Sequence, residues 1–475
     1  MVLKNKLLIA ALLGLLLLPA TGALELDSAN DYTLFVNEQP FSLAISAEFD
    51  IAQGGNYRFT VPKPSYLKHT PAAAIKDMYA SIANSRSLIV QEAKMADNIE
   101  WTLFDVPEQS ELIVKYRLVA QDFYNPSVPL RTFYNGRFGL VFLEFSLLQP
   151  LPAAQGDVKL HVDSKGIKVF NPFNLEALDS KTFYTSSIQN LAHKIVPIGR
   201  WSVIRHEAEN SFINVFIETK ISNSVQNRLK HDFRRIFRST SFRRTIAALT
   251  QENGIMSQFV IMYYEQEEPD FSDEPVLYYH DTCILVLPMI GDYVSDTKVL
   301  LYREVLRQCI NLYKTPMDMP YVSEYLPVNG LLSALAVANL RKEKQLDTAY
   351  VRGHMERQIL NRPVPLAPAE YAKLQVERPV RDVYRLPGLL HTKANMFYKV
   401  FFLLQHMLPE QDLLSFSETF LQAYQEGVAR KQSLPLVLDG LLPKSGDMAD
   451  NPGALLYQRA TALHQDFELL ESYFE

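Results

Sequence analysis

The sequence predicts a multidomain α+β chain, with an N-terminal β-sandwich, an α+β middle and a helical C-terminal part. Three observations carry this. Residues 31–165 hold short runs in which apolar and polar side chains alternate, the pattern of strands that bury one face and wet the other. Residues 295–314 carry an apolar stripe at helical spacing, just after strand-like runs, as expected of a helix packed on a sheet. Pro363, Pro365 and Pro368 then break the chain, and the segments beyond read as helices.

The alternating runs are 32–36, 41–45, 57–61, 114–118 and 158–162. Asn135-Gly136 between two apolar runs predicts a hairpin turn. Residues 72–83 are alanine-rich and predict one helical excursion. A sandwich is the natural way to cover several half-apolar strands. Residues 225–237 have helical spacing and a basic face, on which Arg228, Lys230, Arg234, Arg235 and Arg238 lead on to Arg243 and Arg244. Such a face suits anionic lipid or acidic glycan; the plainer expectation is a solvated helix paired with the acidic loop at 265–274. Residues 257–264 predict a buried or edge strand, and 276–289 are strand-like. In the helix at 295–314, Asp296 suits the first turn, and Val299, Leu300, Tyr302, Leu306, Cys309, Ile310 and Tyr313 form the stripe. Residues 330–340 predict a second, very apolar helix. Further helices are expected at 395–408, 411–424 and 452–474. The expected domains are a signal peptide at 1–23, a β-sandwich at 24–185, an α+β domain at 186–368 and a helical domain at 369–475.

Lys4 and Lys6 precede an apolar run of 12 residues, 7–18, and Pro19-Ala20-Thr21-Gly22-Ala23 follows. Small residues at Thr21 and Ala23 suit cleavage before Leu24. The run is shorter than the roughly 20 apolar residues that span a bilayer. The expectation is therefore an exported chain, periplasmic or extracellular, and not integral to the membrane once the signal is cleaved. A net charge of −6 argues against general nucleic-acid binding. Cys283 and Cys309 are the only cysteines. They can form one disulfide in an oxidising compartment, but are too few for a cysteine zinc site.

The sequence contains no H-E-x-x-H, no G-x-S-x-G, no Walker A loop and no dinucleotide fingerprint. The nearest zinc string is His206-Glu207-Ala208-Glu209-Asn210, which ends in Asn rather than His. Its flanks look like strands, and ligands at i and i+4 share a face only on a helix. A solvated hairpin end is the simpler reading. The element order, with Phe59-Thr60-Val61-Pro62-Lys63-Pro64-Ser65-Tyr66, the run from Leu112 to Asp122 and Tyr134-Asn135-Gly136-Arg137-Phe138, resembles the glycyl aminopeptidase family of zinc peptidases. These are thermolysin-like gluzincins, and the resemblance spans residues 31–410. It implies that the middle domain is thermolysin-like.

The resemblance places the family's zinc helix on Arg303-Glu304-Val305-Leu306-Arg307-Gln308. There H-E-x-x-H has become R-E-x-x-R. Glu304 stands at the general base, Arg303 and Arg307 at the two histidine ligands, and Asn329 at the third ligand. The family's strand motif corresponds to Tyr278-Tyr279-His280-Asp281, and its C-terminal tyrosine motif to His391-Thr392-Lys393-Ala394. Zinc takes imidazole, thiolate or carboxylate donors, whereas a guanidinium has no acceptor lone pair and stays charged. The expectation is therefore no metal, no cofactor and no catalytic residue. The charge group reads either as a structural salt-bridge cluster, in the former metal cavity or on a wet face, or as an anion site. In the second case Arg303, Arg307 and His280 bind a peptide or an acidic envelope component. The alternative function is an active zinc-dependent aminopeptidase with non-standard ligands drawn from His206, Glu207, His280 and His391.

Overall fold

The computed structural model describes residues 30–38, 41–62, 75–83, 86–94, 98–122, 131–151, 155–172, 181–208, 211–219, 223–249, 255–264, 276–279, 282–288, 293–310, 322–355, 416, 419–420, 422–423 and 434–441. The chain divides into two compact units, Met1–Gly199 and Arg200–Glu475.

The first unit is a β-sandwich. Its larger sheet has seven strands, in the spatial order Thr182–Ser187, Gln155–Asp163, Asn30–Glu38, Phe41–Ile51, Ser110–Leu118, Ile75–Ile82 and Arg86–Ser87. All neighbours are antiparallel except Asn30–Glu38 with Gln155–Asp163. A four-stranded sheet, ordered Gln149–Leu151, Gly55–Pro62, Asn98–Val106 and Val90–Lys94, faces it. Strict alternation sets the register: Tyr32, Leu34 and Val36 point inward on one strand, and Leu112, Val114, Tyr116 and Leu118 on another. A one-residue slip would turn each set to solvent. The sheets meet in one core, where the Phe49 and Phe59 rings lie 4.8 Å apart. Buried phenols are satisfied there, Tyr32 donating to Leu148 O at 2.7 Å and Tyr116 to Ser146 O at 3.0 Å.

Asn135-Gly136 does turn the chain between Phe133–Tyr134 and Phe138–Phe142. Asn135 Oδ1 accepts from the Arg137 and Phe138 amides, and Gly136 takes φ 82°, where a side chain would be strained. Ile195–Gly199 pairs with Phe138–Phe142, which ties the end of the first unit to its core.

The helix expected at 72–83 is instead the strand Ile75–Ile82. It pairs with Ser110–Leu118 and buries Ile75 and Ala80. Alanine's helix preference is weak, and cross-strand pairing with an apolar partner overrides it. A bulge between Lys76 and Tyr79 interrupts the ladder, with Asp77 left-handed at φ 55°.

The second unit centres on a five-stranded mixed sheet. Its order is Trp201–Ala208, Ser211–Glu218, Ile255–Tyr264, Thr282–Pro288 and Val276–Tyr279. The two outer pairings are antiparallel and the two inner ones parallel. Ile255–Tyr264 is thus an internal strand, not an edge. Parallel strands need a crossover, and helices Asn223–Arg238 and Thr240–Leu249 supply it. Leu229, Phe233, Ile236 and Phe237 turn inward, while Arg228, Arg234, Arg235, Arg238, Arg243 and Arg244 stay exposed. The acidic loop expected to pair with that face lies outside the described residues.

Helix Tyr293–Ile310 follows Thr282–Pro288 and packs against that strand, Ile255–Tyr264 and helix Val322–Lys342. The expected helix at 330–340 lies inside Val322–Lys342. Helices Thr348–Met355 and Leu434–Leu441 follow, and residues 416, 419–420 and 422–423 are helical. The helices expected at 395–408 and 452–474 lie outside the described residues, as does the segment 1–23. Among the described residues no helix is long and apolar enough to cross a membrane.

Candidate functional site

Helix Tyr293–Ile310 is buried on every side between Leu301 and Arg307. Leu301, Tyr302, Val305 and Leu306 fill the apolar positions, and Tyr302 meets the Phe242 ring edge-on at 5.0 Å. Three charged side chains share that stretch. Arg303 is 6% exposed, Glu304 0% and Arg307 3%. These values rule out a wet helix face for the group.

Glu304 is gripped from both sides. Its Oε1 accepts from Arg303 Nε at 2.7 Å, and its Oε2 lies 3.0 Å from Arg307 Nε. The first contact is a well-formed charge-assisted hydrogen bond. The second is a close ion pair whose N–H is not aimed along the contact. Helical spacing explains the geometry: positions i and i+3 are neighbours on the helix surface, and Arg303 folds back on its own neighbour. Charges this deep hold only when paired, since each costs several kcal/mol to take out of water.

This arrangement does not fit a zinc ion. The two guanidiniums donate and cannot accept, and each oxygen of the one carboxylate already faces a cation. Among the described residues, no group of three or more His, Cys, Asp or Glu side chains is placed to hold a metal ion.

The other expected site residues are placed in part. Asn329 lies on helix Val322–Lys342, which packs beside the helix of the charge group; its side chain is outside the described residues. His280 and His391 fall outside them as well. Cys283 is buried on Thr282–Pro288, and Cys309 falls on the helix packed against that strand. His206 and Glu207 sit at the end of an antiparallel hairpin, on strand Trp201–Ala208, so they point to opposite faces. The His206 ring stacks on Phe237 at 4.5 Å and meets Phe242 edge-on at 6.3 Å. Burial, then the nearby Arg243 cation, holds its pKa below the usual histidine range. Glu207 pairs instead with Arg205 at 3.4 Å.

Two features escape a reading of residue types alone. Lys298 is buried and pairs with Asp232 at 3.2 Å, joining helix Tyr293–Ile310 to helix Asn223–Arg238. A polar row also crosses the central sheet, where Asn214 lies beside Gln258 and Gln258 beside Thr282. All three are buried, and among the described residues both amide atoms of Asn214 and Oε1 of Gln258 find no hydrogen-bond partner. The visible signal is Asn214 alone inside the run Phe212-Ile213-Asn214-Val215-Phe216-Ile217.

No protein-family model matches the chain, and no curated protein does. Solved structures do. An aminopeptidase N family protein from Idiomarina loihiensis superposes with a TM-score of 0.60 at 12% identity, covering 91% of this chain and 75% of that one. An M1 zinc metallopeptidase from Deinococcus radiodurans superposes at 0.43 with 10% identity, covering 94% and 95%; that fit is too loose to add to the argument. The first likeness is one of fold. The chain has the mixed α/β, multi-sheet architecture seen in an aminopeptidase N relative.

Proposed function

We propose that the chain is an exported, non-catalytic relative of the zinc aminopeptidases, which uses the former metal cleft to bind a carboxylate-bearing ligand. That ligand is a peptide C-terminus or an acidic envelope component. One observation carries the reading: the buried Arg303–Glu304–Arg307 group, in which both carboxylate oxygens face guanidinium nitrogens. It stands on the helix that follows the inner strands of the sheet, where the resemblance puts the zinc helix. Glu304 is committed to holding its neighbours and cannot act as general base. The three side chains together carry one formal positive charge, and arginine forks suit a carboxylate. Export is supported by the charged, apolar and small-residue segments of 1–23.

Metal analysis of the purified chain, paired with aminopeptidase assays on glycyl and alanyl substrates, tests the reading. The expected result is far less than one zinc per chain and no chelator-sensitive hydrolysis. One tightly held zinc per chain, with hydrolysis abolished by a chelator, would overturn it. A free-acid peptide should bind more tightly than its C-terminal amide, and equal binding would remove the carboxylate from the proposal.

A further inference from the structure

Between Asn223 and Leu249 the chain carries seven arginines and lysines and one acid, although its net charge is −6. The acid is Asp232, which is buried and pairs inward with Lys298 at 3.2 Å, so it does little for the cations outside. Leu229, Phe233, Ile236 and Phe237 hold helix Asn223–Arg238 down by one side. Arg228, Arg234, Arg235 and Arg238 emerge on the other, exposed along about 15 Å of its axis. Arg244 is exposed on the following helix. Arg243 donates to Arg238 O at 3.1 Å and so caps the end of the first helix. Among the described residues Arg234, Arg235, Arg238 and Arg244 have no ion-pair partner, and Arg228 reaches Asp232 only at 3.9 Å. Arg234 and Arg235 stand four and three positions before Arg238, where like charges on a helix repel. A counter-charge from outside the chain would relieve that cost.

We infer that this face docks on an anionic membrane surface and binds the phosphates of its lipid headgroups. Guanidinium forks grip phosphate oxygens in pairs, and a row of them along a straight helix meets a planar array of charges over its whole length. Other polyanions fit less well. Sugars and unpaired nucleic-acid bases are held on aromatic faces, and Phe233, Phe237 and Phe242 all turn inward. A stable protein partner needs an apolar centre to its interface. Among the described residues the large apolar side chains that are exposed, Tyr79, Ile89 and Tyr184, lie in the first unit. Duplex DNA shares the phosphate chemistry; the choice of a membrane over it rests on the export segment at 1–23. The helix docks and does not insert, since its apolar side is already buried in the chain. The inference does not rest on the charge group at Arg303–Arg307.

Co-sedimentation of the chain from Leu24 onward, free of its apolar leader, tests it. The probe is vesicles of phosphatidylglycerol and phosphatidylcholine in equal parts, and vesicles of phosphatidylcholine alone are the control. The mixed vesicles should carry the chain down at low salt and release it as salt is raised, and the control should leave it in solution. Arg234→Gln together with Arg235→Gln should weaken binding about 25-fold, at about fivefold for each cation near the surface. Both positions are exposed, and an unchanged melting curve would show that the variant folds. The inference is overturned if the mixed vesicles do not bind the chain, if the control binds it as strongly, or if the double variant binds like its parent. Duplex DNA that binds more tightly than the mixed vesicles at equal net charge would overturn it in favour of a nucleic acid.

Discussion

Glu304 is the residue on which the interior of the second unit turns. It is fully buried, with a guanidinium on each oxygen. Its neutral isostere keeps the shape and removes the charge, leaving two buried cations without their shared partner. Breaking a buried ion group from one side costs about 3–5 kcal/mol. Glu304→Gln should therefore lower the unfolding free energy by that amount, seen as a lower urea midpoint with an unchanged slope. A loss under about 1 kcal/mol would show that the arginines are held by other groups and that Glu304 is incidental. The spacing R-E-x-x-R was legible in the sequence, and so was its misfit to zinc, because donor chemistry belongs to residue type. Its burial was not legible. A helix reads the same whether its charged face meets water or protein, and only the packing of two sheet strands and a second helix around it decides.

At the level of elements, strict alternation carried the reading furthest. Runs such as 114–118 became strands because each inward residue has a partner across the core, and the basic stretch at 225–237 became a helix because four apolar residues recur on one side. Residues 72–83 went the other way, since their partner Ser110–Leu118 is remote in sequence and local composition says nothing of it. The polar row of the central sheet is the clearest conflict between local and global preference. An unpaired buried amide costs about 1–3 kcal/mol, and replacing both partners with apolar groups of similar shape relieves it. Asn214→Leu together with Gln258→Leu should accordingly stabilise the chain by about 1–3 kcal/mol in urea unfolding. Destabilisation by the pair would mean that these amides are satisfied in solution and hold the sheet together.

For the molecule as a whole, the division at Gly199 has an energetic meaning. Among the described residues, the sandwich core runs from Tyr32 to Ile198. Both of its sheets, its buried phenols and the final pairing of Ile195–Gly199 are internal to the first 199 residues. A unit with its own closed core should fold alone, since burial scales with the residues that share a core and not with the length of the chain attached to it. A fragment spanning residues 24–199 should be soluble, β-rich by circular dichroism and cooperative in thermal unfolding. A fragment that melts without a transition, or that needs residues beyond 199 to show one, would mean that the second unit completes the first core. The sandwich would then be a layer of a larger fold and not a domain.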